Sequence, residues 1–286
     1  MDNKVVLFAD SSIDLTKELC ERYSIHTVPI HVILQEKTYE DGVDITTEEI
    51  FDHYYKTKEL PKTAAINVMN IVDALKPYVD DGYEVVYISL GSALSSSYRN
   101  SCLAAEELGG KVYPIDSCSL STGAGLLAIE AAERIAKGMP AKQVAEEVTA
   151  LNKNNHASFV LDTLEFLRAG GRCSALAAFG ANMLGLKPSI KVFNEQSGAM
   201  GVGKKYRGKY EKVVFEYIDD TLAQYDNIKT DRAFVTYSSM DNDIEKKVFD
   251  YVVAKGIFKE VFLTRASGTI SSHCGPNTLG VLFMTE

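Results

Sequence analysis

The chain is expected to fold as an α/β protein made of two α/β domains, and three observations lead there. Short apolar runs rich in Val, Ile and Tyr alternate with amphipathic stretches of helical spacing, the pattern of sheets layered with helices. The length, 286 residues, suits two ordinary domains and can bury a core without disulfides or metals. A polar break at Asn152-Lys153-Asn154-Asn155 separates halves of different character. The boundary is placed there: residues 1–154 form an N-terminal domain with a mostly parallel sheet, residues 155–286 a C-terminal domain with a mixed sheet.

The first half reads β-α-β-α-β-α-β-α. Strands are expected at Val5 to Ala9, Thr27 to Leu34, Val85 to Ser89 and Val112 to Ile115. Thr46-Thr47-Glu48-Glu49 has the form of a capping box, so a helix should run through Phe51 and Tyr54. A later helix should end at Gly138, a residue suited to a left-handed cap, and the next should carry Pro140 in its first turn. In the second half, strands are expected at Ser158 to Leu161, Ser189 to Phe193, Ala199 to Tyr206, Ala233 to Tyr237, Glu260 to Thr264 and Leu279 to Met284. Asn194 to Gly198 supplies the turn of a hairpin.

Composition narrows the function. The net charge of −9 repels nucleic acid and anionic lipid head groups. No apolar run approaches a membrane span, and only five apolar residues, Val5 to Ala9, precede Asp10, too few for a secretory signal. A cytoplasmic protein with at most transient membrane contact is expected. Five widely spaced cysteines without a C-x-x-C pair argue for reduced thiols, and His26, His31, His53 and His156 lack metal-ligand spacing.

Ligands of open α/β sheets lie beyond the carboxyl ends of the strands. Three hydroxyl-rich clusters fall there: Asp10-Ser11-Ser12-Ile13-Asp14, Gly91 to Ser97, and Asp116-Ser117-Cys118-Ser119. Helix caps account for part of this, but five serines within Ser92 to Ser101 exceed what one helix needs, and hydroxyls with free amides at a helix start suit an anion. Gly198 to Lys205 nearly spells a phosphate-binding P-loop, yet Lys205 stands where the magnesium-binding hydroxyl belongs, so the hairpin is preferred. His273-Cys274 falls in a turn-rich segment, Ser271 to Asn277, read as a loop in which adjacent side chains diverge and cannot form a dyad. Gly170-Gly171-Arg172 ends a short helix from Thr163 to Ala169. The small-residue apolar stretch Ser174 to Leu186 that follows is either a tightly packed core helix or the wall of a pocket for a long apolar ligand. Arg207, with Lys204, Lys205 and Lys209, is either an exposed charge or a dock for an acidic partner.

Taken in order, these landmarks resemble the DegV family of bacterial fatty-acid-binding proteins. Asp10-Ser11-Ser12-Ile13-Asp14-Leu15 matches its D-S-x-x-D-L, and Val28-Pro29-Ile30 with Tyr39-Glu40-Asp41-Gly42 its second strand and following hairpin. Lys62-Thr63 stands at its T-S-x-P loop, Leu94-Ser95-Ser96-Ser97-Tyr98 resembles L-S-G-T-Y, and Asp116-Ser117 matches D-S. Gly170-Gly171-Arg172 matches G-G-R, and His273-Cys274-Gly275-Pro276 resembles H-x-G-P. The departures are Ala64-Ala65-Ile66 for S-x-P, Ser96 for a glycine and Asn277 for the second glycine of G-P-G.

The resemblance implies one palmitate-like fatty acid in the cleft between the domains and no other cofactor or metal. Its carboxylate would be held by Thr63 and Ser95 with His273 nearby, assisted by the amides of Ser96 and Ser97. It further implies a carrier in phospholipid synthesis, not a catalyst, presenting the acid to a separate ATP-dependent fatty acid kinase, with Arg172 and Arg207 as candidate contacts. Two alternatives stay open: a serine-dependent acyl hydrolase using Ser95, His273 and Asp116, and a carrier of another small lipid.

Overall fold

The computed structural model describes residues 4–174, 176 and 185–286. A four-stranded, all-parallel sheet has the order β2-β1-β6-β7, built from β1 (Val5–Asp10), β2 (Ile25–Val28), β6 (Glu84–Ser89) and β7 (Val112–Asp116). Its connecting helices are α1 (Lys17–Arg22), α3 (Val68–Asp80), α4 (Ser97–Glu107), α5 (Thr122–Ala136) and α6 (Ala141–Ala150). The strand centres are near-continuous apolar runs because helices cover the sheet.

The expected single strand Thr27 to Leu34 is two strands in two sheets. Pro29 has no amide to continue a ladder, and the chain leaves β2 there; β3 (His31–Leu34) instead pairs antiparallel with β4 (Lys37–Glu40) and β5 (Lys62–Ala64) in a small sheet of order β4-β3-β5. Helix α2 (Thr47–Thr57) begins with the expected capping box: Thr46 accepts from the Glu49 amide and the Glu49 carboxylate accepts from the Thr46 amide. Gly138 follows α5 in a left-handed conformation, whereas Pro140 occupies the N-cap of α6 and not its first turn.

The later strands form a seven-stranded mixed sheet of order β11-β10-β9-β14-β12-β13, with the short β8 (Asn155–His156) paired to β14. They are β9 (Ser158–Leu161), β10 (Leu186–Phe193), β11 (Ala199–Arg207), β12 (Ile228–Tyr237), β13 (Glu260–Arg265) and β14 (Thr278–Thr285). β10 and β11 make the expected antiparallel hairpin, which disposes of the P-loop. Helices α8 (Tyr210–Leu222) and α9 (Ile244–Ala254) bury Val213, Tyr217, Val248 and Val252 against it. The stretch Ser174 to Leu186 lies largely outside the described residues.

Two short helices matter to the site, the first close to where the helix Thr163 to Ala169 is expected and the second not expected at all. α7 (Glu165–Gly170) ends at Gly171, whose φ of 67° gives the left-handed cap. α10 (Gly268–Cys274) occupies what was read as a loop; Ser267 caps it by accepting from the Ile270 amide. His273 and Cys274 therefore diverge by the helical turn and not by strand alternation. α5 lies between the parallel and seven-stranded sheets with its first eleven residues buried. Its small Gly123 and Gly125 permit this: a Cβ at Gly125 would stand 2.7 Å from the Ile13 carbonyl oxygen.

Candidate functional site

The turn after β6 carries the serine cluster, and carboxylates at the ends of β1 and β7 fix its shape. Asp10, at the end of β1, accepts from the Tyr87 hydroxyl at 2.7 Å and from the Leu90 amide at 2.8 Å. Burial lifts its pKa to about 6 against the opposing pull of those bonds. Asp116, at the end of β7, accepts from the amides of Ser92 and Cys118. The carbonyl of Ser197, in the β10-β11 turn, accepts from the Ala93 amide at 3.0 Å. Gly91 is needed because a Cβ there would stand 2.9 Å from that same oxygen. The result presents Ser95 and Ser96 at the start of α4; Ser95 Oγ accepts from the Ser97 amide at 3.2 Å and lies 3.0 Å from Ser97 Oγ.

Thr63 projects from β5, where it pairs with Val32, and its Oγ1 is 2.8 Å from Nε2 of His273 in α10. The imidazole packs against Gly170, and its Nδ1 is buried without a partner among the described residues. Burial, with the charge of Arg172 second, pushes the His273 pKa down to about 4, so the ring is neutral at pH 7. Arg172 bridges α7 to the serine turn: its Nη1 donates to the Gly170 carbonyl at 2.6 Å and its Nε approaches the Leu94 carbonyl. The three glycine-arginine residues thus have separate jobs: room for the imidazole, a left-handed cap, and a tie across the opening.

These residues line one cavity. With its open mouth and the solvent there counted, it spans about 1050 Å³. Ser96 and Arg172 are exposed at the opening, Thr63, Ser95 and His273 are half-buried next to them, and the depth is walled by the buried Phe159, Met200, Ala266, Leu279's neighbour Gly280, and Leu282. Thr63, Ser95, Ser96, Arg172 and His273 are therefore brought together from four separate segments. Ser97 is fully buried beneath the turn and lies off the cavity wall. Arg207 also lies away from it, exposed at the end of β11, and its neighbour Lys204 is already paired with Glu216 and Asp220. No group of three or more His, Cys, Asp or Glu among the described residues could hold a metal. No helix of the described residues is long and apolar enough to cross a membrane.

The arrangement lacks a hydrolase triad. Asp116 is spent on two backbone amides, His273 bonds Thr63, and Ser95 bonds Ser97, so no acid orients a base and no base reaches the serine. Cys274 gives no nucleophile either, since burial pushes its thiol up to about 12.

The sequence reading missed a second layer under the site. Asp14 accepts from the Ser121 hydroxyl and from the Ser267 amide, and Asp41 accepts from the amides of Gly268 and Thr269, both at 2.8 Å. Thr47 Oγ1 donates to the Ala266 carbonyl. Both aspartates belong to motifs visible in the sequence, but their partners lie more than a hundred residues away.

An α/β scaffold around an open-mouthed cavity, mostly apolar in lining and carrying hydroxyls at its opening and within, is the architecture of a ligand-binding protein. The chain belongs to the DegV family, whose profile, described as that of an uncharacterised protein family, matches residues 4–286. A DegV domain-containing protein of Clostridium perfringens is 28% identical over 287 residues, covering 99% of each chain. A fatty-acid-binding DegV family protein from Thermus thermophilus superposes with a TM-score of 0.90 at 28% identity, covering 99% of this chain and 100% of its own. DegV from Bacillus subtilis shares the fold at 24% identity with a TM-score of 0.84 and 99% coverage of both chains. Both are described as binding fatty acids. A Streptococcus pneumoniae protein described as Fatty Acid Kinase B3, loaded with linoleic acid, shares the fold at 18% identity and a TM-score of 0.82, covering 99% of this chain and 100% of its own.

Proposed function

We propose that this chain binds one long-chain fatty acid, buries the acyl tail in the cavity between its residues 1–154 and 155–286, and presents the carboxylate at the opening. The observation that carries this reading is a cavity walled mostly by apolar side chains such as Phe159, Met200 and Leu282, which opens beside Thr63, Ser95 and the neutral His273. The description of the Thermus thermophilus relative as a fatty-acid-binding protein supports it.

The tail dominates affinity. Burying about 14 methylenes at roughly 0.8 kcal/mol each contributes on the order of 11 kcal/mol before the costs of association. The hydroxyls decide where the head lies. With its proton on Nε2, the neutral His273 donates to Thr63 Oγ1, which frees the Thr63 proton for the carboxylate; the bare Nδ1 lone pair then faces Gly170, where a buried N–H would lack an acceptor. Ser95 donates from the other side, and the dipole of α4, whose Ser97 amide is already given to Ser95 Oγ, adds to the field that keeps the acid ionised.

An ionised, exposed carboxylate tip is a nucleophile toward the γ-phosphate of ATP, and the near-P-loop segment Gly198 to Lys205 is spent in a hairpin. We therefore assign it the role of a cytoplasmic carrier that hands the acid to a separate ATP-dependent fatty acid kinase. Arg172, at the opening, is the nearer candidate contact and Arg207 the farther one. Organic extraction of the purified protein followed by mass spectrometry tests the reading. One long-chain acid per chain is the expected result; none, even after lipid feeding, sinks it.

A further inference from the structure

The small sheet β4-β3-β5 holds α10 at two places. At one edge Asp41, the residue after β4, is nearly fully buried and sets its two carboxylate oxygens 2.8 Å from the amides of Gly268 and Thr269, in the first turn of the helix. At the other edge, Thr63 on β5 bonds His273 in the last turn. The central strand β3 joins the two grips directly, since His31 pairs with Glu40 on one side and with Ala64 on the other. The grips lie five residues apart on α10, about 7.5 Å along its axis. A helix this short has little stability of its own, so its azimuth is set by whatever holds its ends.

The fit at the first grip is close. A Cβ on Gly268 would stand 2.8 Å from Asp41 Oδ1, so the glycine lets the carboxylate reach the backbone. One carboxylate accepting from two adjacent amides fixes rotation about the helix axis as well as position, which a single hydrogen bond cannot do. Asp14 and Thr47 anchor Ser267 and Ala266, just ahead of the helix, from other elements. Of the three, only Asp41 directly follows a strand of the sheet that carries Thr63.

We propose that Asp41 is a positioning residue for the carboxylate site: its two-point grip on the start of α10 sets the rotation that brings His273 Nε2 onto Thr63, and so aims the Thr63 hydroxyl at the ligand's head group. The last step rests on the fatty-acid reading above; the effect on His273 does not.

Two measurements test it. In ligand-free protein labelled with 15N-histidine, His273 is assigned by its loss in His273→Ala, and Asp41→Asn is compared with the parent. The substitution puts an amide N–H against one of the two backbone donors, and the expected result is a displaced Nε2 resonance with the other four histidines unmoved. An unmoved His273 signal overturns the proposal whether or not the protein binds lipid. The second measurement is affinity for palmitate and for hexadecanol, which lacks the ionised head. Asp41→Asn should weaken palmitate about tenfold, leave hexadecanol within twofold, and add less than twofold in the His273→Ala background. Equal losses for both ligands, or the same loss with and without His273, would assign Asp41 a merely structural role. Variants are compared at matched secondary structure by circular dichroism. Absence of palmitate binding in the parent would instead remove the fatty-acid reading and leave the NMR result to decide the role of Asp41.

Discussion

The imidazole of His273 occupies the space where a side chain on residue 170 would begin: a Cβ added to Gly170 would stand 2.2 Å from its Nδ1. Gly170 closes α7 and Gly171 follows it in the left-handed region, so adjacent glycines answer to different constraints.

Gly170→Ala should therefore weaken fatty-acid binding severalfold by pushing His273 off Thr63, although alanine is favoured over glycine in a helix by about 1 kcal/mol. Gly171→Ala should cost about 1 kcal/mol of stability through its φ of 67° while leaving affinity within twofold. Isothermal titration and urea unfolding of both variants check the pair; the reverse assignment of effects would refute the steric account.

Removing the head-group donors should separate binding from presentation. Each charge-assisted bond is worth about 1.5 to 3 kcal/mol, so Thr63→Ala and Ser95→Ala should each lower palmitate affinity by about tenfold or more. The double variant should still enclose the tail but fail to yield acyl phosphate with a fatty acid kinase and ATP. Undiminished phosphoryl transfer in the double variant would rule out these two donors.

The buried carboxyl of Asp14 should leave a mark on the pH dependence of stability. Burial raises its pKa from 3.8 to about 7, opposed by the bonds from Ser121 and Ser267. Between those values the folded protein holds a proton that the unfolded chain has released. The contribution is thus fully present below about pH 4 and lost as pH rises through about 7, a swing on the order of a few kcal/mol. Asp14→Asn cannot titrate, so its melting temperature relative to the parent should improve between pH 5 and pH 8. A constant offset across that range would show that Asp14 does not carry the effect. His273 works in the opposite sense: its pKa is lowered by burial to about 4, so its contribution is present above 6.5 and lost as pH falls through 4.

A chain of buried hydroxyls runs from Thr122 in α5 through Thr236 in β12 to Thr264 in β13, at 2.6 and 2.9 Å. Thr236 also lines the cavity. Thr236→Val keeps the shape but strands two partners, and should destabilise the fold by about 2 to 3 kcal/mol. Chemical denaturation measures this; a loss below about 0.5 kcal/mol would mean that the chain makes no net contribution.

Local pattern alone determined much of this protein: the alternating α/β plan, the Thr46 capping box, the Asn194 to Gly198 hairpin and the serine turn after the third expected strand. Each of these depends on residues a few positions apart, whose propensities act whether or not the rest of the chain is in place. Tertiary structure decided what local pattern left open. The tendency of residues 27–34 to be extended does not say that Pro29 divides them between two sheets. Nor does the run from Ser271 to Asn277, full of turn formers, announce a helix, because α10 is held from outside by Asp14, Asp41 and Thr47. Thr63 and His273 lie 210 residues apart and meet only because a three-stranded sheet seats that helix at both ends. The distances that make a site out of motifs are set by packing, and packing is a property of the whole chain.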